Sequence, residues 1–184
     1  MPEDTRIDVL EHIEEFSFEP LQSDTELQGF SNEYPDYTAF LFSNAKRMDS
    51  TGVTRTYLLY NAQHKICAYV SLLPGTIEVN RAFKSEFSTI DFPNAADKIG
   101  TIHIHHLAGD FEFCKEYRHI IKLTVEYVRT MIVNHINKYL NVCFISLDAD
   151  INTDPDLEEK YKAAGFVSVG YNGELPLMVC PVYG

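Results

Sequence analysis

Apolar positions recur along this 184-residue chain in two rhythms, one helical and one alternating, and their succession predicts the order of elements. Ile7, Val9, Leu10 and Ile13 fall within 3–15 at spacings that predict a short amphipathic helix. Residues 16–20 alternate and predict the start of a strand. Tyr37, Phe40, Leu41 and Ala45 share one face of a helix predicted over 37–47, with Gly52 near its end. Two strand-like runs follow, 54–60 and 65–73. The polar Asn61-Ala-Gln-His64 between them predicts a hairpin, and Pro74-Gly75 is expected to close the second run. Residues 76–98 carry no clear period and read as a strand end plus a long loop, and 99–107 is again a strand. Over 112–139 Phe113, Tyr117, Ile120, Val125, Val128, Ile132 and Ile136 recur at helical spacing and predict one long helix. A compact apolar strand, 141–147, comes next. Asp154 and Pro155 predict the cap and first position of a short helix to Ala164, ended by Gly165. Strands at 167–170 and 175–182 close the chain. This order is that of an α/β (α+β) domain with helices packed on a sheet.

Composition narrows the classes. With 45% hydrophobic and 23% charged residues, the length suits one domain with a real core. Lys plus Arg number 15 against 27 Asp plus Glu, a net charge of -12. That balance argues against broad nucleic-acid binding, because phosphate neutralisation needs a basic surface; a local basic cleft is still open. Residues 1–16 are acidic and interrupted, so neither a secretion signal nor a transit peptide is expected. No apolar stretch is long enough to span a bilayer, so no membrane partner is expected. Cys67, Cys114, Cys143 and Cys180 lie without close pairing, the pattern of a reduced, cytoplasmic protein with buried thiols.

Three stretches go further. Tyr161-Lys-Ala-Ala-Gly165-Phe166 ends the last predicted helix, Leu107-Ala-Gly-Asp110 ends the strand before the long helix, and Arg55-Thr-Tyr-Leu-Leu-Tyr60 with Lys65-Ile-Cys-Ala-Tyr-Val70 forms the early hairpin. In order and spacing they resemble the GNAT acyltransferase superfamily, with its Tyr-x-x-x-Gly-Phe and Leu-Ala-Val-Asp patterns, over 35–182. The resemblance implies a GNAT-like fold: a central mixed, mostly antiparallel sheet flanked by helices. It also implies one domain over 1–184, with 1–34 an N-terminal extension and first strand.

The same resemblance implies an N-acetyltransferase that uses acetyl-CoA as acyl donor and an unidentified amine, small or on a protein, as acceptor. Tyr161 matches the tyrosine that protonates the leaving thiolate, a role suited to a phenol whose free pKa is about 10. His105 falls where some members keep a glutamate that takes the proton of the amine, directly or through water; imidazole can do the same near neutrality. Backbone groups of Leu107 and Ala108 match those that hold the pantetheine arm. Asp154 sits where an asparagine often touches the cofactor.

One family feature is missing. The pyrophosphate loop Arg/Gln-x-x-Gly-x-Gly/Ala aligns with Cys114-Lys-Glu-Tyr-Arg-His119, which holds no glycine. Lys115 and Arg118 supply charge there instead. This gap favours an alternative: a non-catalytic GNAT-like module for a small ligand or a protein. Phe30, Tyr37-x-x-Phe40-Leu41, Ala45 and Thr54-Arg-Thr-Tyr57 are also similar to bacterial GNAT toxins that acylate charged tRNA. Those proteins carry the glycine loop and a basic face that this sequence lacks. No nucleic-acid partner is expected, and the chain is expected to be a monomer or homodimer.

Two further clusters invite metal readings. His103 and His105 share one strand face, with Asp110 beyond, a start toward a zinc site whose third ligand the sequence does not identify. The alternative is that these histidines, with His106, line a cleft or bond within the sheet. Asp148, Asp150, Asn152, Asp154, Asp156 and Glu159 fall on calcium-loop positions, but Thr153 replaces the turn glycine and Pro155 removes an N–H. A capped strand-to-helix loop explains them as well, and no metal is expected. No Gly-x-Ser-x-Gly, Walker or dinucleotide motif is present.

Overall fold

The computed structural model describes residues 5–90, 92 and 97–183. They form two compact units, one of Met1–Leu72 with His105–Val128, the other of Leu73–Ile104 with Arg129–Gly184. In the first, β1 (Ile7–Asp8) precedes β2 (Ser17–Pro20), which pairs antiparallel with β3 (Arg55–Tyr60). The latter pairs with β4 (Ile66–Glu78) from Arg55↔Leu72 to Tyr60↔Ile66, closing the expected hairpin. His64, in the connection, has φ 56 and stacks on Tyr60 at 4.2 Å. Between β2 and β3 lies a helical run, α1 (Pro35–Phe40), a π-helical turn (Leu41–Ala45) and α2 (Lys46–Ser50). Pro35 starts it, where a missing N–H costs nothing. Its apolar face, Phe40, Leu41 and Ala45, is buried with Leu58, Tyr69 and Ala108. A second cluster joins Val9, Leu59, Cys67, Phe113, Ile120 and Leu123. Each leucine, isoleucine, valine or phenylalanine among them contributes about 1.5–3 kcal/mol by burial.

In the second unit the part of β5 (Lys98–Gly109) up to Ile104 pairs in parallel with β7 (Phe144–Asp148) through Ile102↔Ile145, His103↔Ser146 and Ile104↔Leu147. β8 (Val167–Asn172) and β9 (Leu175–Pro181) are antiparallel neighbours, and β9 also lies antiparallel to β7. The sheet has seven strands in the order β2-β3-β4-β5-β7-β9-β8. It is mixed and mostly antiparallel, as expected.

Five expectations are corrected. Residues 3–15 are not an amphipathic helix: the described part is β1 followed by two 3-10 turns, Val9–Glu11 and Ile13–Glu15. Asp8 caps the first of these by accepting the Leu10 N–H at 3.0 Å. Pro74-Gly75 does not close the second run, because β4 continues through it to Glu78. A Cβ on Gly75 would lie 2.8 Å from both the His103 Cβ and the Thr101 Oγ1, so glycine serves here for close approach rather than for a turn. The stretch 76–98, expected to be a strand end and loop, also holds α3 (Arg81–Glu86), capped by Asn80; residues 91 and 93–96 lie outside the described ones.

The fourth correction concerns the long helix. It is two helices, α4 (Phe111–Glu116) and α5 (Ile120–Asn134), with the short strand β6 (Tyr117–Arg118) between them and His119 at φ 67 before α5. β6 pairs in parallel with β1. The apolar period survives the break because Tyr117 stacks on Phe113 at 4.1 Å. Similarly, α6 (Leu157–Ala163) starts two residues later than Pro155 predicted, with Asp156 at its N-cap. No helix among the described residues is long and apolar enough to cross a membrane.

Candidate functional site

β5 runs on beyond its ladder with β7, and the residues singled out on it face different surroundings. His106 stacks on Phe40 with centroids 3.7 Å apart and 8° between planes; the edges of Tyr37 and His105 close around it. Its Nδ1 is buried with no hydrogen-bond partner among the described residues. Burial, with the like charge of His105 adding to it, pushes the imidazole down to about 4 from 6.5. His105 is exposed over part of its ring and packed edge-on against Phe40 over the rest, and this partial desolvation lowers its pKa as well. A neutral imidazole with an open face is the form that accepts a proton.

The His106 environment has a measurable consequence. Between the unfolded pKa near 6.5 and the folded value of about 4, the unfolded chain binds a proton that the folded chain refuses. Stability is full above the unfolded value and is lost as pH falls toward the folded one. The half-buried ring reduces the effect to about 2 kcal/mol. Denaturant titrations from pH 7 to 4 should show this loss in the wild type and not in His106→Phe. Parallel losses in both proteins would place the acid sensitivity elsewhere.

Leu107 and Ala108 follow, buried at 5% and 4% exposure. Gly109 permits the turn into α4, since a Cβ there would lie 2.6 Å from the Cys114 Sγ and 3.1 Å from the Ile120 Cγ2. Asn32 donates to the Gly109 carbonyl at 2.8 Å. Asp110, considered above as a ligand, is 1% exposed and accepts the Phe113 N–H at 3.0 Å and the Ser31 N–H at 2.9 Å. It is a staple of the turn. Nearby, burial pushes the Cys67 thiol up to about 12, so it is an inert packing group.

The two cations of the glycine-free loop are both engaged. Lys115 bonds Glu112 at 2.7 Å and lies 4.0 Å over the Phe111 ring. Arg118 lies 3.3 Å from the Asp8 carboxylate, and His119 Nδ1 bonds the other oxygen at 2.9 Å. The His119 hydrogen bond, with smaller help from the Leu10 N–H and the Arg118 charge, holds the Asp8 carboxyl below its usual range against the opposing effect of burial. Nothing in the sequence marked Asp8 as a partner of this loop, 110 residues away.

In the second unit Tyr161, on α6, is 5% exposed and its ring lies 5.8 Å from that of Phe166. The Phe166 N–H bonds the Tyr161 carbonyl at 3.1 Å, and Gly165 turns the chain with φ 94. This is why the Tyr-x-x-x-Gly-Phe spacing needs its glycine. Asp154 is 4% exposed and caps the loop by accepting the Asp156 N–H at 3.1 Å while pairing with Lys160. Asp148 accepts from Asn172 at 2.9 Å and Asp150 accepts from the Thr153 hydroxyl at 2.7 Å, so these carboxylates turn to separate partners. Among the described residues, His12, Glu14 and Glu15 are the group whose ligand atoms converge, and all three are exposed.

One cluster escaped the sequence reading. His103 Nδ1 lies 3.1 Å from the Ser146 Oγ, which bonds the Thr101 Oγ1 at 2.9 Å, and His103 Nε2 lies 3.9 Å from Asp148. The His103↔Ser146 ladder pair brings them together, and a parallel register between strands some forty residues apart leaves no local signal.

No protein-family model and no curated protein sequence matches this chain. Solved structures do. A bacterial toxin shares 17% identity over 91% of this chain and 90% of its own, with a TM-score of 0.71. A tyrosine-to-phenylalanine variant of KacT shares 14% over 91% and 95%, at 0.72. AtaT complexed with acetyl-methionyl-tRNAfMet shares 19% over 88% and 93%, at 0.68. Other similar structures are an AtaT variant with antitoxin AtaR and acetyl-CoA, and a KacTA–DNA complex. Two of these complexes hold nucleic acid. Identities this low carry architecture and nothing finer, and at that level the result is plain: this chain has the GNAT acyltransferase fold.

Proposed function

We propose that the protein is an acyl-CoA-dependent N-acetyltransferase that moves an acetyl group to an amine. The observation that carries the reading is the toxin-like fold over nine-tenths of the chain, and the turn that joins Tyr161, Gly165 and Phe166 supports it. The segment between β5 and α5 supports an anionic ligand: Arg118 and His119 already gather a carboxylate. These groups would hold the donor's diphosphate, and main-chain groups of Leu107 and Ala108 its pantetheine arm. When bound, acetyl-CoA supplies a thioester open to attack by an amine.

The chain's own residues manage protons. His105, kept neutral by partial desolvation, takes the proton that the amine must lose. Tyr161 gives its hydroxyl proton to the departing thiolate. The net charge of -12 supports a small or protein-borne amine as acceptor rather than tRNA. The loop without glycine supports a second reading, a non-catalytic module of the same fold.

Titration calorimetry with acetyl-CoA, followed by an acetyl-transfer screen over polyamines, peptides and aminoacyl-tRNA, separates these readings. Donor binding with transfer to a small or peptide amine is the expected result. A protein that binds no donor would be the non-catalytic module. A salt-sensitive tRNA shift retained at physiological ionic strength would reverse the acceptor assignment.

A further inference from the structure

We propose that Asp8 is a built-in competitor of the acyl donor: its carboxylate occupies the loop that a diphosphate would use, so the donor binds only as the segment carrying Asp8 gives way. The proposal rests on the acyl-donor reading above. Four observations converge on it. β1 lies alongside the loop itself, pairing Ile7↔Tyr117 and Asp8↔Arg118. The Asp8 side chain, 14% exposed, meets Arg118 of β6 and His119 after it, with His119 Nδ1 at 2.9 Å and an Arg118 nitrogen at 3.3 Å. Arg6 extends the contact by donating to the Cys114 carbonyl at 3.2 Å. Finally, His119 takes a φ of 67, turning the chain into α5 as a glycine would while its ring bonds Asp8.

A chain of net charge -12 thus spends one of its carboxylates on its own cationic loop. The contact is reversible by construction. The β1–β6 ladder is two residues long and Ile7 is 41% exposed, whereas Val9, two residues on from Ile7, is 0% exposed and anchors the segment in the core. Residues 5–8 can therefore lift while the chain from Val9 onward stays seated, a local opening of low cost. The isosteric Asp8→Asn keeps an acceptor for the Leu10 N–H and removes only the negative charge.

The test is calorimetric titration of inorganic pyrophosphate, without divalent metal, and of acetyl-CoA into wild type and Asp8→Asn. The variant should bind pyrophosphate about tenfold more tightly. Equal or weaker binding by a variant with unchanged thermal melting would overturn the proposal. Tighter pyrophosphate binding with no acetyl-CoA binding by either protein would keep the competition and end the acyl-donor reading. Equal, tight acetyl-CoA binding by both would do the reverse. Should Asp8→Asn fold poorly, hydrogen exchange on wild type decides: saturating pyrophosphate should speed exchange of the amides of residues 7 and 8 and of Leu10, whose N–H the Asp8 carboxylate accepts, and unchanged or slower exchange refutes the displacement.

Discussion

Replacing Tyr161 by phenylalanine is expected to lower the turnover of acetyl transfer about 10²-fold, with little change in donor affinity. The ring is 5% exposed and packed on Phe166, so keeping it preserves the packing of α6 and the fold. What is lost is the hydroxyl proton, and a proton donor acts mainly as negative charge grows on sulfur. The loss should therefore appear equally in kcat and kcat/KM. Steady-state kinetics on the variant, alongside a direct CoA titration, decide the matter. Unchanged kcat would leave Tyr161 as a packing residue. A fall in CoA affinity matching the fall in kcat/KM would make it a binding group instead.

Asp110→Ala should cost about 2–4 kcal/mol of stability. The carboxylate is 1% exposed and answers two backbone donors distant in sequence, Ser31 N–H and Phe113 N–H. Alanine leaves both donors without their acceptor, and the loss of the α4 cap alone accounts for about 1 kcal/mol. For a chain of this length the melting temperature should fall by about 6–12 °C. Asp110→Asn keeps an acceptor oxygen for one donor and should recover part of the loss. Melting within a degree of wild type for the alanine variant would mean that the two amides find other acceptors.

The architecture was legible in the sequence where apolar runs had clear ends. The hairpin of β3 and β4 announced itself by two apolar runs around a polar turn, and the α6-to-β8 turn by Gly165. The break between α4 and α5 was not legible. Helix-period apolar residues continue through it because Tyr117 stacks on Phe113, and the positive φ falls on His119, where no glycine or proline marks it. The same holds for the site. Tyr161, His105, Leu107 and Ala108 came from the resemblance of short motifs to the GNAT superfamily. The partners that define their surroundings, Phe40 for His106, Asp8 for Arg118 and Ser146 for His103, are set by tertiary contact and left no periodic trace. Proline and glycine misled twice, at Pro155, which lies two residues before α6, and at Pro74-Gly75, where a space requirement was read as a turn.

The π-helical turn Leu41–Ala45 bears on how this chain should be compared with others. A turn closed by i→i+5 bonds holds one residue more than an α-turn of the same function in the fold. On its N-terminal side stands Phe40, whose ring carries His106; on its C-terminal side stands Asp49, which accepts the Thr56 N–H at 2.9 Å and pairs with Arg55 at 2.7 Å. Against a relative whose helix is regular throughout, an ungapped alignment can match only one of these two anchors. Superposing both requires a one-residue gap inside 41–45. By the same logic, deleting Ser43 should convert the run to a plain α-helix while both anchors keep their partners, whereas a deletion in α1 or α2 would rotate one anchor away from its partner.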